Sequence, residues 1–387
     1  MDVEGFAADV ALVAENVRRV VRGKDAAVDL ALICLFAGGH LLVEDRPGVG
    51  KTLLARSIAA SLRADMKRIQ FTPDLQPTDV TGMTVYDQSA TAAADRFPFH
   101  KGPLFTNVVL ADEINRASPR TQAALLEAME ERQVSFDGQT HPLPDEKRSG
   151  PFFVVATQNP LDAAGTYPLP DAQLDRFLMR LSMGYPAEAD ELRILRDDAA
   201  GAGPDDLSPV LDGPRVLEMI DWARAGVTAS DLVYRRALEI VDKTRKLAEG
   251  TELPDGWRGE RITASMPGPW LRCGASPRAA VALMRAARVA AACRVDEPPK
   301  AGTAPGPEPI VAPADVRRVV EPCDLTKVAV AVLAHRLQLA PVLLRSGVTS
   351  EDVVNDVLRS IPGARDQAPP PAAPPARDRG RSRGRSR

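Results

Sequence analysis

One short run near the N-terminus limits what this chain can fold into more than any other. His40-Leu-Leu-Val43 is apolar and short, as a buried strand is. It runs straight into Glu44-Asp-Arg-Pro-Gly-Val-Gly-Lys-Thr52 and then into a helical stretch, 53–62. A glycine loop between a strand and a helix exposes backbone N–H groups and a helix N-terminus, and both attract phosphate. Gly48 and Gly50 let the backbone come close. Lys51 places a positive charge on the outer phosphates, and the Thr52 hydroxyl can ligate Mg²⁺. Val49 and Leu53 complete the expected lining. The strict phosphate-loop pattern asks for glycine where Asp45 stands; an aspartate there has less turn freedom, although Asp tolerates left-handed backbone better than most residues.

The rest of the first half repeats the strand–helix theme. The periodicity predicts helix over 9–36 with a break near Gly23, and strands at 67–71, 107–111 and 152–156. Ser118-Pro119 opens a helix that runs to about Glu131. Asp137-Gly138, between alternating residues over 134–141, predicts a hairpin. Strands alternating with helices imply a parallel sheet covered on both faces, an α/β core. From about residue 188 helical stretches dominate, at 188–198, 214–225, 230–248, 276–294, 313–320 and 324–338, broken at 199–213 and 298–310. The expected organisation is an α/β nucleotide-binding domain over 1–187, an all-α lid domain over 188–363, and a disordered Pro- and Arg-rich tail over 364–387.

Composition excludes several classes. Charged residues are 26% and hydrophobic ones 44%, ordinary for a globular chain, and the net charge of -3 gives no global bias toward nucleic acid. Aromatics at 4% argue against a stacking platform for single strands. Cys34, Cys273, Cys293 and Cys323 are scattered and form neither a zinc pattern nor a disulfide framework. Together with an acidic N-terminus and no stretch long enough to span a bilayer, they predict a cytoplasmic protein that is not transmembrane.

Three further segments carry chemistry. Val108-Val-Leu-Ala-Asp112-Glu113 is a buried strand that ends in two acids. Alone it is as readily a solvated strand end; beside a phosphate loop, Asp112 suits the Mg²⁺ shell, and Glu113 suits a general base for the attacking water. Phe152 to Asn159 ends a strand in polar groups, where Asn159 can bridge a γ-phosphate and water or simply turn the chain before Pro160. Arg176, in Gln-Leu-Asp-Arg-Phe177, and Arg278, in Gly-Ala-Ser-Pro-Arg, can neutralise charge in phosphoryl transfer. A lone arginine is more often a surface ion-pair member.

In order and spacing, these segments resemble the MoxR family of AAA+ ATPases. The resemblance rests on 43–52, on Gln-Phe-Thr-Pro-Asp-Leu-Gln-Pro-Thr-Asp-Val-Thr-Gly (70–82), on Gly-Pro-Leu-Phe (102–105), on Leu-Ala-Asp-Glu-Ile-Asn-Arg and its continuation to Met129, on 156–177 and on 274–278. It covers about 15–340. It implies Mg²⁺-dependent ATP hydrolysis that drives chaperone-like remodelling or maturation of protein clients. It also implies a ring of identical copies, a hexamer, and a partner bearing a von Willebrand factor A domain. It assigns Asn159 to sensor 1, Arg278 to sensor 2 reaching the γ-phosphate of its own chain, and Arg176 to an arginine finger on the next copy's nucleotide. It places Gly23 beside the adenine and makes 82–101 and 133–150 inserts that face a pore or a substrate. The chain departs from the family at Arg46, usually small or apolar, and at Lys24, usually Gln.

Two rival functions stay open at this stage. A nucleic-acid motor similar to helicase loaders would need basic inserts, yet 82–101 sets Arg96, His100 and Lys101 against Asp87 and Asp95. A non-hydrolysing scaffold would not need Asp112-Glu113. The Arg-rich tail can touch an acidic surface or merely keep the chain soluble.

Overall fold

The computed structural model describes residues 2–86, 97–144, 150–159, 165–199, 203–250, 252–294 and 318–361. The first half runs α1 (Val3–Arg18), α2 (Asp25–Phe36), β1 (Leu41–Glu44), α3 (Lys51–Ser61), β2 (Met66–Gln70), α4 (Pro77–Thr81), β3 (Gly82–Thr84), β4 (Phe99–Lys101), β5 (Val108–Asp112), α5 (Pro119–Glu131), β6 (Gln133–Phe136), β7 (Gln139–Pro142), β8 (Phe153–Gln158), α6 (Asp171–Leu174) and β9 (Met179–Leu181). The second half runs α7 (Glu188–Ala199), α8 (Gly213–Gly226), β10 (Thr228–Ala229), α9 (Asp231–Glu249), β11 (Leu271–Cys273), α10 (Pro277–Ala292), β12 (Val319–Val320), α11 (Pro322–Leu333), β13 (Gln338–Leu339), α12 (Pro341–Arg345) and α13 (Ser350–Arg359).

Five strands form one sheet in the order β2-β5-β8-β1-β9, every pair parallel. Alternate residues face opposite ways. Leu41, Val43, Val108, Leu110, Phe153 and Val155 enter one core together with α1, α2 and the helices of the second half. Leu42, Val109, Ala111, Val154 and Ala156 enter a second core, with α5 and the β6–β7 hairpin. The sheet is therefore covered on both faces, as its apolar strands require.

The local signals act as expected. The Ser118 hydroxyl accepts from Thr121 N–H and Pro119 follows it. Asp137 and Gly138 both take positive φ, 48° and 73°, which is what a two-residue hairpin demands. Phe99 on β4 stacks on Phe136 and His141 of that hairpin at 5.2 and 4.5 Å, so the two inserts meet.

Several expectations are corrected. The helix expected over 313–320 is not found in its described part. Val319–Val320 pair with β10 instead, and 313–317 lie outside the described residues. The helix expected over 324–338 starts at Pro322 and stops at Leu333; the chain then turns so that Arg336 can bind Asp175, and Gln338-Leu339 pair with β11. The second half is thus helical, with two small two-stranded sheets among its described residues. Helices α12 and α13 had no sequence-based counterpart. Half of the first insert (87–96), the 298–310 break and the 364–387 tail lie outside the described residues. Among those described, no helix is long and apolar enough to cross a membrane.

His40 ties the N-terminal edge of the sheet together. Its Nδ1 accepts from Val154 N–H at 3.1 Å, so Nε2 carries the proton it donates to Met129 O, also at 3.1 Å. Burial, helped by nearby Arg132, pulls its pKa down to about 3. His335 is pushed down in the same way by burial and by Arg336. A base whose pKa is lower folded than unfolded is charged first in the unfolded chain. Stability is therefore full above the unfolded value of ~6.5 and falls with pH from there toward 3. We expect urea unfolding to lose about 1.4 kcal/mol per pH unit for each such histidine below that value. His40→Asn should remove one proton's worth of that slope. An unchanged slope would place the acid sensitivity elsewhere.

Candidate active site

Because every strand is parallel, β1, β5, β8 and β9 all end at one edge of the sheet, and the phosphate loop lies there. Gly48 and Gly50 have φ of 81° and 93°. A Cβ on Gly48 would meet nothing, and one on Gly50 only Met183 Cε at 3.8 Å, so backbone conformation and not crowding requires glycine. Asp45 has no such requirement, since its φ is not positive. The loss of turn freedom expected at this position does not arise. Its carboxylate instead clamps the loop that follows β9: Oδ2 accepts from Ser182 Oγ at 2.9 Å, Met183 N at 2.7 Å and Gly184 N at 2.6 Å. Oδ1 accepts from Arg46 N. Burial works to raise the Asp45 pKa, but the donors Gly184, Arg46, Ser182 and Met183 outweigh it and hold it below the usual carboxylate value.

The Asp45 carbonyl in turn accepts from Lys51 Nζ at 2.7 Å, which aims the ammonium along the loop. Burial lowers the Lys51 pKa against the opposing pull of Asp112, Asp45 and Glu113. A cleft of about 510 Å³ opens here, lined by Gly48, Gly50, Lys51, Thr52, Leu53, Arg68, Asp112, Glu113 and Asn159 among others. A second hollow of about 280 Å³ adjoins it, lined by Val20, Arg22, Lys24, Val49, Leu53, Pro186 and Ile194 among others. Gly23 itself lines neither. Its φ is 65°, and a Cβ would strike Asp190 Oδ2 at 2.3 Å, so it serves the close approach of 22–24 to α7. Lys24 is held below its usual pKa by burial, against the pull of Asp45 and Asp190.

The acids of β5 are fixed from β8. Thr157 Oγ1 donates to Asp112 Oδ1 at 2.5 Å and accepts from Glu113 N–H at 3.0 Å. Glu113 takes a left-handed backbone, φ 56°, strained for a residue with a Cβ. Its carboxylate pairs with Arg116 at 2.6 Å. Arg68 reaches across from β2 to Asp112 Oδ2 at 2.7 Å. Arg68, Arg116 and Thr157 were missed from the sequence. The polar alternation of Lys67-Arg68-Ile69-Gln70 beside β5 was the available signal for the first. Nothing local marks the other two.

The donor set of the cleft suits Mg²⁺. It offers the Thr52 hydroxyl and one carboxylate, Asp112, and this ion commonly binds through one or two carboxylates, phosphate oxygens and retained waters.

Arg176 and Arg278 are not at this cleft. Both bind one carboxylate, Glu130 at the end of α5, at 3.0 and 2.7 Å. They line a separate hollow with Gly39, His40 and Leu178. Those residues precede β1 and β9, so this is the opposite, N-terminal edge of the sheet. Asp175 fastens the group: it binds Arg336 Nε at 2.6 Å and Ser276 Oγ at 2.9 Å, locking the start of α10 to the segment that bears Arg176. Arg285 adds three bonds from α10 to the carbonyls of Ala37 and Gly38. In this structure Arg278 therefore lies away from its own chain's phosphate loop, and Ser276 and Arg285 anchor α10 in that position.

A parallel five-stranded sheet with a glycine loop after β1 and paired acids after β5 defines an AAA+ P-loop fold, and residues 40–179 match the ATPase family associated with various cellular activities (AAA). The chain is 40% identical to uncharacterized protein YeaC of Bacillus subtilis, over 90% of this chain and 92% of that one. It is 35% identical to chaperone MoxR1 of Mycobacterium tuberculosis, over 92% and 84%. A crystal structure from Cytophaga hutchinsonii, described as a candidate ATPase, superposes with a TM-score of 0.74 at 32% identity, covering 93% of this chain and 96% of that one. The chain belongs to the MoxR family of AAA+ ATPases.

Asp45→Ala would leave the backbone N–H groups of Arg46, Met183 and Gly184 without this acceptor, and the buried one at Met183 alone costs about 1–3 kcal/mol. We expect a lower melting temperature and weaker binding of a fluorescent ATP analogue, with Asp45→Asn intermediate. Unchanged binding in Asp45→Ala would show that the clamp does not shape the loop.

Proposed function

We propose that the chain hydrolyses Mg·ATP at a site shared between two copies and uses the turnover to remodel protein clients. One observation carries this reading. Lys51, Thr52, Asp112, Glu113 and Asn159 share one cleft, while Arg176 and Arg278 sit together at the far edge. A second copy that turns its Arg176 edge toward the cleft of the first completes the set. Arg278, held beside Arg176 through Glu130, then acts on the neighbour's nucleotide as well.

In this reading the phosphate-loop N–H groups and Lys51 hold the outer phosphates. Thr52 and Asp112 hold Mg²⁺, which when bound neutralises charge on the phosphate oxygens. Glu113 takes up the proton of the attacking water and Asn159 orients it. The Glu113–Arg116 pair must open for that, so Arg116 sets how readily the base is released. Arg68 occupies Asp112 Oδ2, so its release would free that oxygen as a ligand. The neighbour's Arg176 and Arg278 stabilise the charge that develops on the transferred phosphoryl group.

A protein client is favoured over a nucleic-acid strand by the described part of the first insert. Tyr86 and Phe97 pack at 5.3 Å and are 55% and 62% exposed at its base, an apolar grip and not a phosphate track. Hexameric assembly and a von Willebrand factor A-domain partner are implied by the family resemblance alone.

We expect Lys51→Ala to lose nucleotide binding. Glu113→Gln should bind ATP yet hydrolyse it at least ~100-fold more slowly, from the range of general-base effects. Arg278→Ala should bind ATP like the unaltered chain while turnover falls. Phosphate release and equilibrium titration separate the two effects. Undiminished turnover in Glu113→Gln would remove Glu113 from the mechanism, and weakened ATP binding by isolated Arg278→Ala chains would return that residue to its own cleft.

A further inference from the structure

Helix α7 lies at the rim of the nucleotide cleft and exposes most of its length. Its inner face is used: Asp190 lies against Gly23, Asp197 pairs with Arg22 at 3.0 Å, and Ile194 and Asp197 line the base-side hollow. Its outer face is not. Glu188, Glu191, Leu192 and Leu195 stand at i, i+3, i+4 and i+7, hence on one side of the helix. Leu192 and Leu195 are 49% and 67% exposed. Neither Glu188 nor Glu191 has a cationic partner among the described residues. None of residues 188–197 of this helix is buried, and a helix with an apolar stripe left open gains stability from something packed on it.

The opposite edge of the molecule carries the complement. Beside the Arg176 and Arg278 group, a cleft of about 530 Å³ is lined by Arg132, Arg224, Arg285 and Arg288 and by Ile220, Val281 and Val289. Val281 is 60% exposed. Arg132 and Arg285 bind only backbone carbonyls, and Arg288 binds the Tyr234 hydroxyl. Among the described residues none of the four arginines has a carboxylate partner, and Asp221 is the one acid on the cleft wall. Guanidiniums gathered in a partly apolar hollow repel one another and favour an acidic, apolar occupant.

We propose that the outer face of α7 of one copy seats in this arginine cleft of the next. The inference rests on the shared-site reading and deepens it. Any assembly that carries Arg176 and Arg278 to a neighbour's phosphates carries the adjoining arginine cleft to the neighbour's cleft rim, and α7 is that rim. Glu188 and Glu191 then meet Arg224 and Arg288, and Leu192 and Leu195 meet Val281 and Ile220. Because the inner face of α7 touches the base-side hollow, the bound nucleotide stiffens the element that docks, so assembly senses occupancy of the cleft.

The test is sedimentation velocity on the full chain in a Glu113→Gln background with Mg·ATP, across a concentration series. Arg224→Glu combined with Arg288→Glu should raise the assembly midpoint at least ~10-fold, the scale of lost interfacial charge pairs. Adding Glu188→Arg and Glu191→Arg to the same chain, which restores opposite charges across each contact, should return the midpoint most of the way. Melting temperatures verify that the variants fold. Assembly of the double variant at the unaltered midpoint, failure of the fourfold variant to recover, or a parent chain that stays monomeric would each overturn the contact. The shared-site reading fails separately, if Arg176→Ala chains hydrolyse ATP at the unaltered rate whatever their assembly.

Discussion

Five strands that run the same way must release their chains at the same edge. That polarity organises the molecule. It collects the phosphate loop after β1, the acids after β5, Asn159 after β8 and the Ser182–Gly184 turn after β9 at one end of the sheet. By the same rule, the residues that enter the strands, Gly39 and His40 before β1 and Arg176 before β9, gather at the other end. A single chain thus presents a phosphate-binding edge and an arginine edge that cannot meet.

Each edge is held by a carboxylate, buried at Asp45 and half-buried at Asp175. Asp45 at the phosphate edge accepts four hydrogen bonds and so joins the loop after β1 to the loop after β9, across adjacent strands. Asp175 at the arginine edge joins the Arg176 segment to the start of α10 and to Arg336. Asp45 through four hydrogen bonds, and Asp175 through its pairing with Arg336, each define one arrangement of their donors; left bare, such carboxylates would be costly. The second half of the chain is thereby fastened to the arginine edge. Ser276 thus ties the start of α10 to the segment that bears Arg176, and Ile194 and Asp197 of α7 line the hollow beside the phosphate loop.

What was legible in the sequence was what depends on neighbours along the chain. The strand–loop–helix around Lys51, the acids at the end of β5, the Ser118 cap and the Asp137-Gly138 turn are local signals, and the structure has each of them. The role of Asp45 was not legible, because its partners Met183 and Gly184 are far away in sequence and it reads as a defect in a glycine pattern. The place of Arg278 beside Glu130 was not legible either, because α10 is anchored by Arg285 on Ala37 and Gly38 and by Ser276 on Asp175, contacts that no periodicity encodes. Two-residue strands such as Val319–Val320 carry too little pattern to tell from a helix turn.

The central claim is that one chain's cleft is completed by the arginines of another. Mixing is its most direct measurement. Lys51→Ala chains keep Arg176 but lack a working cleft, and Arg176→Ala chains keep the cleft but lack the arginine. Each alone should be inactive, and an equimolar mixture should hydrolyse ATP at a substantial fraction of the unaltered rate, because some contacts then pair an intact cleft with an intact Arg176. A mixture no more active than the sum of its parts, with co-assembly demonstrated, would contradict the account.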